Sequence, residues 1–220
     1  MAPYQLNLAA IEASLRQVQR EFPKINQILQ SRRDSMTDEV VANMLAGYTL
    51  VNRAIRDNED LLSLQQVHSL LELNHLVLCG SDPAVRKENR KHLEATAQRF
   101  YHQEGFDIGG ILAWHEKHAG ESPWKRAAGV YVRILSQPQL YIEGNHRTGA
   151  LIMSYLLARD GRPPFVLTVD NAKAYFDPST LIKATRKTTS TLLAKLPRMK
   201  KSFAAFLQQQ ANEHYLLQAE

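Results

Sequence analysis

The feature that most limits the fold is a helical period of apolar residues, interrupted again and again by capping residues, with almost no period-two alternation. Leu8, Ile11, Leu15 and Val18 recur at three and four residues and predict an amphipathic helix. Pro23 is expected to interrupt it, with a short helical segment at 25–29 beyond. Thr37 opens a second helix, with Asp38 and Glu39 in the turn where the helix dipole favours anions and Val40, Met44, Tyr48, Val51 and Ile55 on one face. A third, nearly apolar helix is expected over 62–78. Asp82 is placed to cap the next helix with Pro83 at its first position, and that helix should run over 84–101 until Gly105. Helices over 108–118 and from Ser122–Pro123 to about 136 follow, then a strongly apolar one over 145–158, stopped by Gly161, Pro163 and Pro164. Residues 165–169 read as an extended piece, and from Ala172 onward helices separated by Pro178 and Pro197 complete the chain. The predicted fold class is all-α.

Composition narrows the function classes. A 220-residue chain with 44% hydrophobic and 22% charged residues suits one globular domain and excludes disorder and low-complexity repeats. The lone cysteine, Cys79, forms no internal disulfide and reads as a small buried filler. No apolar stretch is long enough to span a membrane, and the first 20 residues do not resemble a signal peptide, so the expected location is cytoplasmic. The net charge of +5 is concentrated. Residues 178–212 carry seven basic side chains and no acidic one, which leaves 20 basic and 22 acidic elsewhere. Such a run could serve a basic interaction module, but aromatic residues do not alternate with the charges as a groove for single-stranded nucleic acid would require. A solvated helix face accounts for it as well, and nucleic acid is not an expected partner.

Chemistry is concentrated in QPQLYIEGNHRTGALIMSYL, residues 137–156. Pro138 ends the preceding helix, and Asn145 reads as the N-cap of the next. Gly144 before it would let a bulky group approach the backbone. The first turn then offers free N–H groups and the positive end of a dipole, a ready anion site. Arg147 stands on the unfavourable end of that dipole at a cost of about 0.3–1 kcal/mol. A bound phosphate would reverse the sign by pairing with the guanidinium. Glu143, one residue before the glycine, could hold a Mg²⁺ that bridges phosphate oxygens.

The stretch QLYIEGNHR, Gln139 to Arg147, resembles the signature loop of Fic-domain proteins, whose pattern runs HxFx(D/E)(G/A)N(G/K)R. Glu143, Gly144, Asn145 and Arg147 match, and Tyr141 stands for the phenylalanine. The flanking PWKRAAGVYVRIL and ALIMSYLLARDGRPPF, and the earlier ELNHLVLCG, resemble the family's helices around the loop, so the likeness covers roughly 61–198. It implies a Fic-like domain over 61–220 behind a helical N-terminal extension over 1–60. It further implies a fold that binds ATP with Mg²⁺ and moves AMP to a hydroxyl of another protein. Gly144, Asn145 and His146 would give backbone N–H groups to the phosphates, Arg147 would pair with the terminal ones, and Glu143 would hold the metal.

The departures from that pattern bear on catalysis. Gln139 stands where the family has its general-base histidine. An amide has no basicity near neutral pH, and general-base assistance is worth about 10²–10⁴-fold. Ala150 stands where many relatives carry a second arginine. The hairpin flap that holds the target chain is not evident, because 91–101 reads as helix. The expected protein is therefore a degenerate relative of the protein adenylyltransferases. It keeps a nucleotide- or phosphate-binding loop and acts by binding, with a protein as a further possible partner. The alternatives are a transferase of different chemistry, with a nucleotide or nucleotide-sugar donor, and the basic module. His146 could replace the base, and a packing or capping role is its more ordinary reading. His115 and His118 have metal-ligand spacing without a third ligand, and Trp114 and Trp124 read as core anchors.

Overall fold

The computed structural model describes residues 4–103 and 106–218. The ten α-helices among them confirm the all-α expectation, together with one pair of three-residue strands. Helix α1 (Leu8–Ile28) starts on Asn7, whose side chain accepts from the N–H of Ala10, and α2 (Asp38–Arg56) starts on Thr37 in the same way. Then come α3 (His68–Cys79), α4 (Pro83–Glu88), α5 (Arg90–His102) and α6 (Ile108–Lys117). The central pair is α7 (Pro123–Leu135) and α8 (Asn145–Arg159), followed by α9 (Ala172–Ala184) and α10 (Leu196–Gln209).

Helix α8 is apolar nearly all round and is buried from Thr148 to Ala158, which makes it the centre of the domain. It packs along α7, and α2 and α3 cover its other sides; α10 lies on the far side of α7. Leu6, Ile11, Leu15, Val41, Tyr48 and Val51 share one core with Tyr155 and Phe203, so residues before 60 pack directly on those after it. The strands β1 (Tyr4–Leu6) and β2 (Leu216–Gln218) pair antiparallel and join the two ends of the described chain, with Leu6 opposite Leu216. None of the described helices is long and apolar enough to cross a membrane.

Several boundaries differ from expectation, each for a local reason. Pro23 lies inside α1 rather than ending it. Losing one helical hydrogen bond there costs about 3 kcal/mol. The apolar face nevertheless continues through Phe22, Ile25 and Leu29 onto Ala172, and each such side chain recovers about 1.5–3 kcal/mol. Pro178 likewise sits within α9, whose Tyr175, Ser179 and Ile182 are buried on either side of it. The third helix begins at His68 instead of 62. The N–H and hydroxyl of Ser63 both donate to the carbonyl of Asp60, and these local bonds hold the segment in turns. The expected helix over 84–101 is split at Asn89, whose side chain donates back to Val85 O at 2.9 Å. Asp82 and Ser122 cap as expected, and Asp107 caps α6 without having been foreseen. Residues 91–101, where the resemblance would put a hairpin flap, belong to α5. Gly105, expected to end that helix, lies outside the described residues. The run 165–169 forms none of the described strands; Phe165 O accepts from Tyr48 and Ser154.

Candidate functional site

The loop between α7 and α8 is held by its own side chains. Gln139 is buried, and its amide donates to Leu135 O at 3.1 Å, closing the end of α7. Its main-chain carbonyl accepts from Arg99 Nε at 2.9 Å. Tyr141 is fully buried, stacks on Phe100, and donates its hydroxyl to Leu70 O at 2.9 Å. The phenol thus fills the apolar slot of a phenylalanine and spends its one polar atom on the first turn of α3.

Asn145 is not the N-cap expected of it. The cap position is Gly144, with φ of 73°, and Asn145 is the first helical residue. Its side chain folds backward: Oδ1 accepts from Tyr141 N at 3.0 Å, and Nδ2 donates to Tyr141 O at 2.9 Å. No side chain caps the first turn of α8. Among the described residues, nothing accepts from the main-chain N–H groups of Asn145, His146 or Arg147.

Gly144 is required twice over. Its φ lies in the left-handed region, and a Cβ there would stand 2.9 Å from Asn74 Nδ2. Asn74, fully buried on α3, donates through that nitrogen to Glu143 O at 2.9 Å and to Thr148 Oγ1 at 3.0 Å. It clamps the loop to α8.

Arg147 donates to Val77 O at 3.1 Å, near the C-terminal end of α3. The negative end of that helix offsets the unfavourable start of α8. Burial lowers the guanidinium's affinity for its proton, while Glu143, Asp34 and Glu39 act in the opposite sense. Glu143 is exposed at the rim.

His146 Nε2 lies 3.2 Å from Arg33 Nη1. Arginine can only donate, so Nε2 is the acceptor and the proton sits on Nδ1, 3.3 Å from Tyr131 Oη. Tyr131 in turn donates to Tyr175 Oη at 3.0 Å, and Tyr175 donates to the main-chain carbonyl of His146 at 3.0 Å. The ring is locked as one neutral tautomer. Its pKa is pushed down to about 3, first by burial and then by the charges of Arg33 and Lys183.

A cavity of about 480 Å³ is bordered by α1, α2, α8, α9 and the connection between α1 and α2. Gln139, Glu143, Gly144, Asn145, His146 and Arg147, all singled out in the sequence, come together there. Arg33, Asp34 and Lys183 complete the charged lining. Arg33 also donates to Thr180 Oγ1 at 2.7 Å, and its Nε is buried without a partner. The sequence reading missed Arg33, Asn74 and the tyrosine pair. Arg33 lies in a short polar connection with nothing to mark it, whereas Asn74 could have been found as the polar residue inside the apolar run of α3.

The other candidates fall outside the cavity. No cluster of three potential metal ligands occurs among the described residues; His118 Nδ1 contacts Trp114 O and His115 Nε2 is buried without a partner. Trp114 and Trp124 are only partly buried at the edge of the core, and Arg133 lies 4.0 Å over the Trp114 ring. Burial raises the pKa of the Cys79 thiol, which suits a filler. In the basic run 183–201, Lys183, Arg186, Lys195, Arg198 and Lys201 are exposed, as on a solvated face, and Lys187 and Lys200 are partly buried. Lys183 lines the cavity, Lys187 donates to Pro138 O and Lys200 pairs with Glu121.

No protein-family model matches the chain, and no curated protein matches it. Among solved structures, it is similar to a Fic domain containing signaling protein from Bacteroides thetaiotaomicron, at 15% identity and a TM-score of 0.45 over 91% of this chain and 94% of that one. It is also similar to Fic-1 from C. elegans, at 17% identity and the same TM-score of 0.45 over 92% of this chain; it spans 59% of that chain.

Proposed function

We propose that this is a Fic-like protein that binds a phosphate-bearing ligand at the start of α8 and acts by binding, without transferring AMP. The carrying observation is the first turn of α8. Its N–H groups at Asn145, His146 and Arg147 have no internal acceptor among the described residues, and they border a cavity that holds three cations. The first N–H groups of a helix have no partner within it and carry the positive end of its dipole, so an anion is the natural complement.

Loss of transfer rests on two residues. Gln139 has no basic atom, and its amide is committed to Leu135 O. His146, the one candidate replacement, presents its lone pair to Arg33 and resists protonation. A group that cannot take up a proton near neutral pH is a poor general base.

Glu143 and Asp34 both line the cavity and are the side chains that would hold a Mg²⁺ brought in on a phosphate. Such an ion takes only one or two protein carboxylates and completes its shell with phosphate oxygens and water, which suits a rim with few ligands. When bound, it would neutralise phosphate charge.

Thermal unfolding with ATP and Mg²⁺, and with inorganic phosphate, tests the reading. Stabilisation of about 2.7 kcal/mol is expected at a hundredfold excess over Kd, and it should be lost in Arg147→Ala. Absence of any shift, or an equal shift in the variant, overturns the binding site. Transfer of label from ATP or a nucleotide-sugar to proteins of a cell extract overturns the non-catalytic part.

A further inference from the structure

The cavity has two chemically different sides, and together they describe a ligand. Its buried lining is carbon: Leu15, Phe22, Met44, Ala150 and Phe165. Four buried polar side chains also line it, and each commits a donor to a main-chain carbonyl, which leaves the amides of Gln139 and Asn145 as the remaining polar capacity of this side. Tyr48 donates to Phe165 O at 2.8 Å, and Gln139 to Leu135 O at 3.1 Å. Asn145 donates to Tyr141 O at 2.9 Å, and Tyr175 to His146 O at 3.0 Å. A purine or a ribose entering this side would have to exchange its hydrogen bonds with water for contacts with hydrocarbon. A hydrocarbon chain would gain by the same burial.

The other side is net cationic: Arg33, Arg147 and Lys183 line it against Asp34 and Glu143. Arg33 and Lys183 both act on His146, and neither forms a salt bridge with a carboxylate among the described residues. Like charges converging on a neutral imidazole are unfavourable until an anion sits between them. The first turn of α8 faces the same cavity. Where the resemblance would lead one to expect a second arginine for a longer phosphate chain, Ala150 continues the apolar wall.

We infer that the cavity takes an anionic amphiphile: a phosphate monoester head at Arg33, Lys183 and the first turn of α8, with a hydrocarbon tail along Phe22, Met44 and Phe165. The inference rests on the phosphate-binding reading above and narrows the body of the ligand from nucleotide to hydrocarbon.

The test is calorimetric titration of the whole chain with inorganic phosphate and with alkyl phosphates of two, four, six and eight carbons, beside ATP with Mg²⁺. Each methylene that enters the cavity should tighten binding by about fourfold. Octyl phosphate should then bind far more tightly than either inorganic phosphate or ATP. Met36→Gln places a neutral polar group on a partly exposed lining residue and should flatten the chain-length dependence while leaving inorganic phosphate bound. Affinity independent of chain length, or ATP binding more tightly than octyl phosphate, overturns the inference and leaves the phosphate site standing. If no phosphate species binds, the underlying site fails with it.

Discussion

Replacing Gly144 by alanine perturbs the loop at the point where two requirements meet. The residue has a φ of 73°, and left-handed backbone costs an L-residue about 1–2 kcal/mol. The new Cβ would lie 2.9 Å from Asn74 Nδ2 and 3.3 Å from Val77 Cγ1, so Asn74 must move. Its two hydrogen bonds, to Glu143 O and Thr148 Oγ1, are each worth about 0.5–1.5 kcal/mol. Gly144→Ala should therefore destabilise the protein by about 2–4 kcal/mol in urea denaturation. The same change in an Asn74→Ala background should cost only the backbone component, about 1–2 kcal/mol, because the clash is already gone. The coupling in this double-mutant cycle should reach about 1 kcal/mol or more. A cost below about 1 kcal/mol in the native background, or a cost that Asn74→Ala leaves unchanged, refutes the clamp between α3 and the loop.

Tyr141→Phe removes a hydroxyl that satisfies Leu70 O in a fully buried slot. A loss of about 1 kcal/mol in denaturant is expected, with phosphate affinity unchanged; a variant more stable than the native protein would contradict the assigned role. His146 gives a pH signature. Its folded pKa of about 3 lies below the ordinary histidine value, so below pH ~6.5 the unfolded chain binds the extra proton and stability falls as pH is lowered. The slope approaches about 1.4 kcal/mol per pH unit, and denaturation from pH 7.5 to 4.5 should show it reduced in His146→Gln. An unaltered slope in the variant would place the titration elsewhere. Pro23→Ala restores a donor in the middle of α1 and should stabilise the protein by up to about 3 kcal/mol in thermal unfolding; no gain would mean the helix is already relaxed around the proline.

The helices were legible because their signals are local. Apolar residues at three and four apart, Thr37, Asp82 and Ser122 as caps, and the all-round apolar character of 148–158 each say where a helix is without reference to the rest of the chain. What was misread depends on partners far along the chain. Pro23 reads as a stop until the second apolar cluster, which carries α1 past it, is known. The strands at 4–6 and 216–218 are too short to show a period and exist only because the chain ends meet. The same division holds at the site. Residues 139–147 could be picked out by their spacing, but Asn145 reads as a cap and serves as a brace, since nothing local says that its amide turns back to Tyr141. Arg33 lies 113 residues from the histidine it touches, and only the tertiary packing of α1 and α9 brings it there.

We propose that the first turn of α8 holds a negatively charged group, and amide-resolved NMR during titration with inorganic phosphate reads that property at each N–H. Saturable shifts are expected on the N–H groups of Asn145, His146 and Arg147, with a companion change at the Arg33 guanidinium. Shifts that are absent, or that fall on the basic helices around Lys195 and Lys201 while the start of α8 stays still, would contradict it.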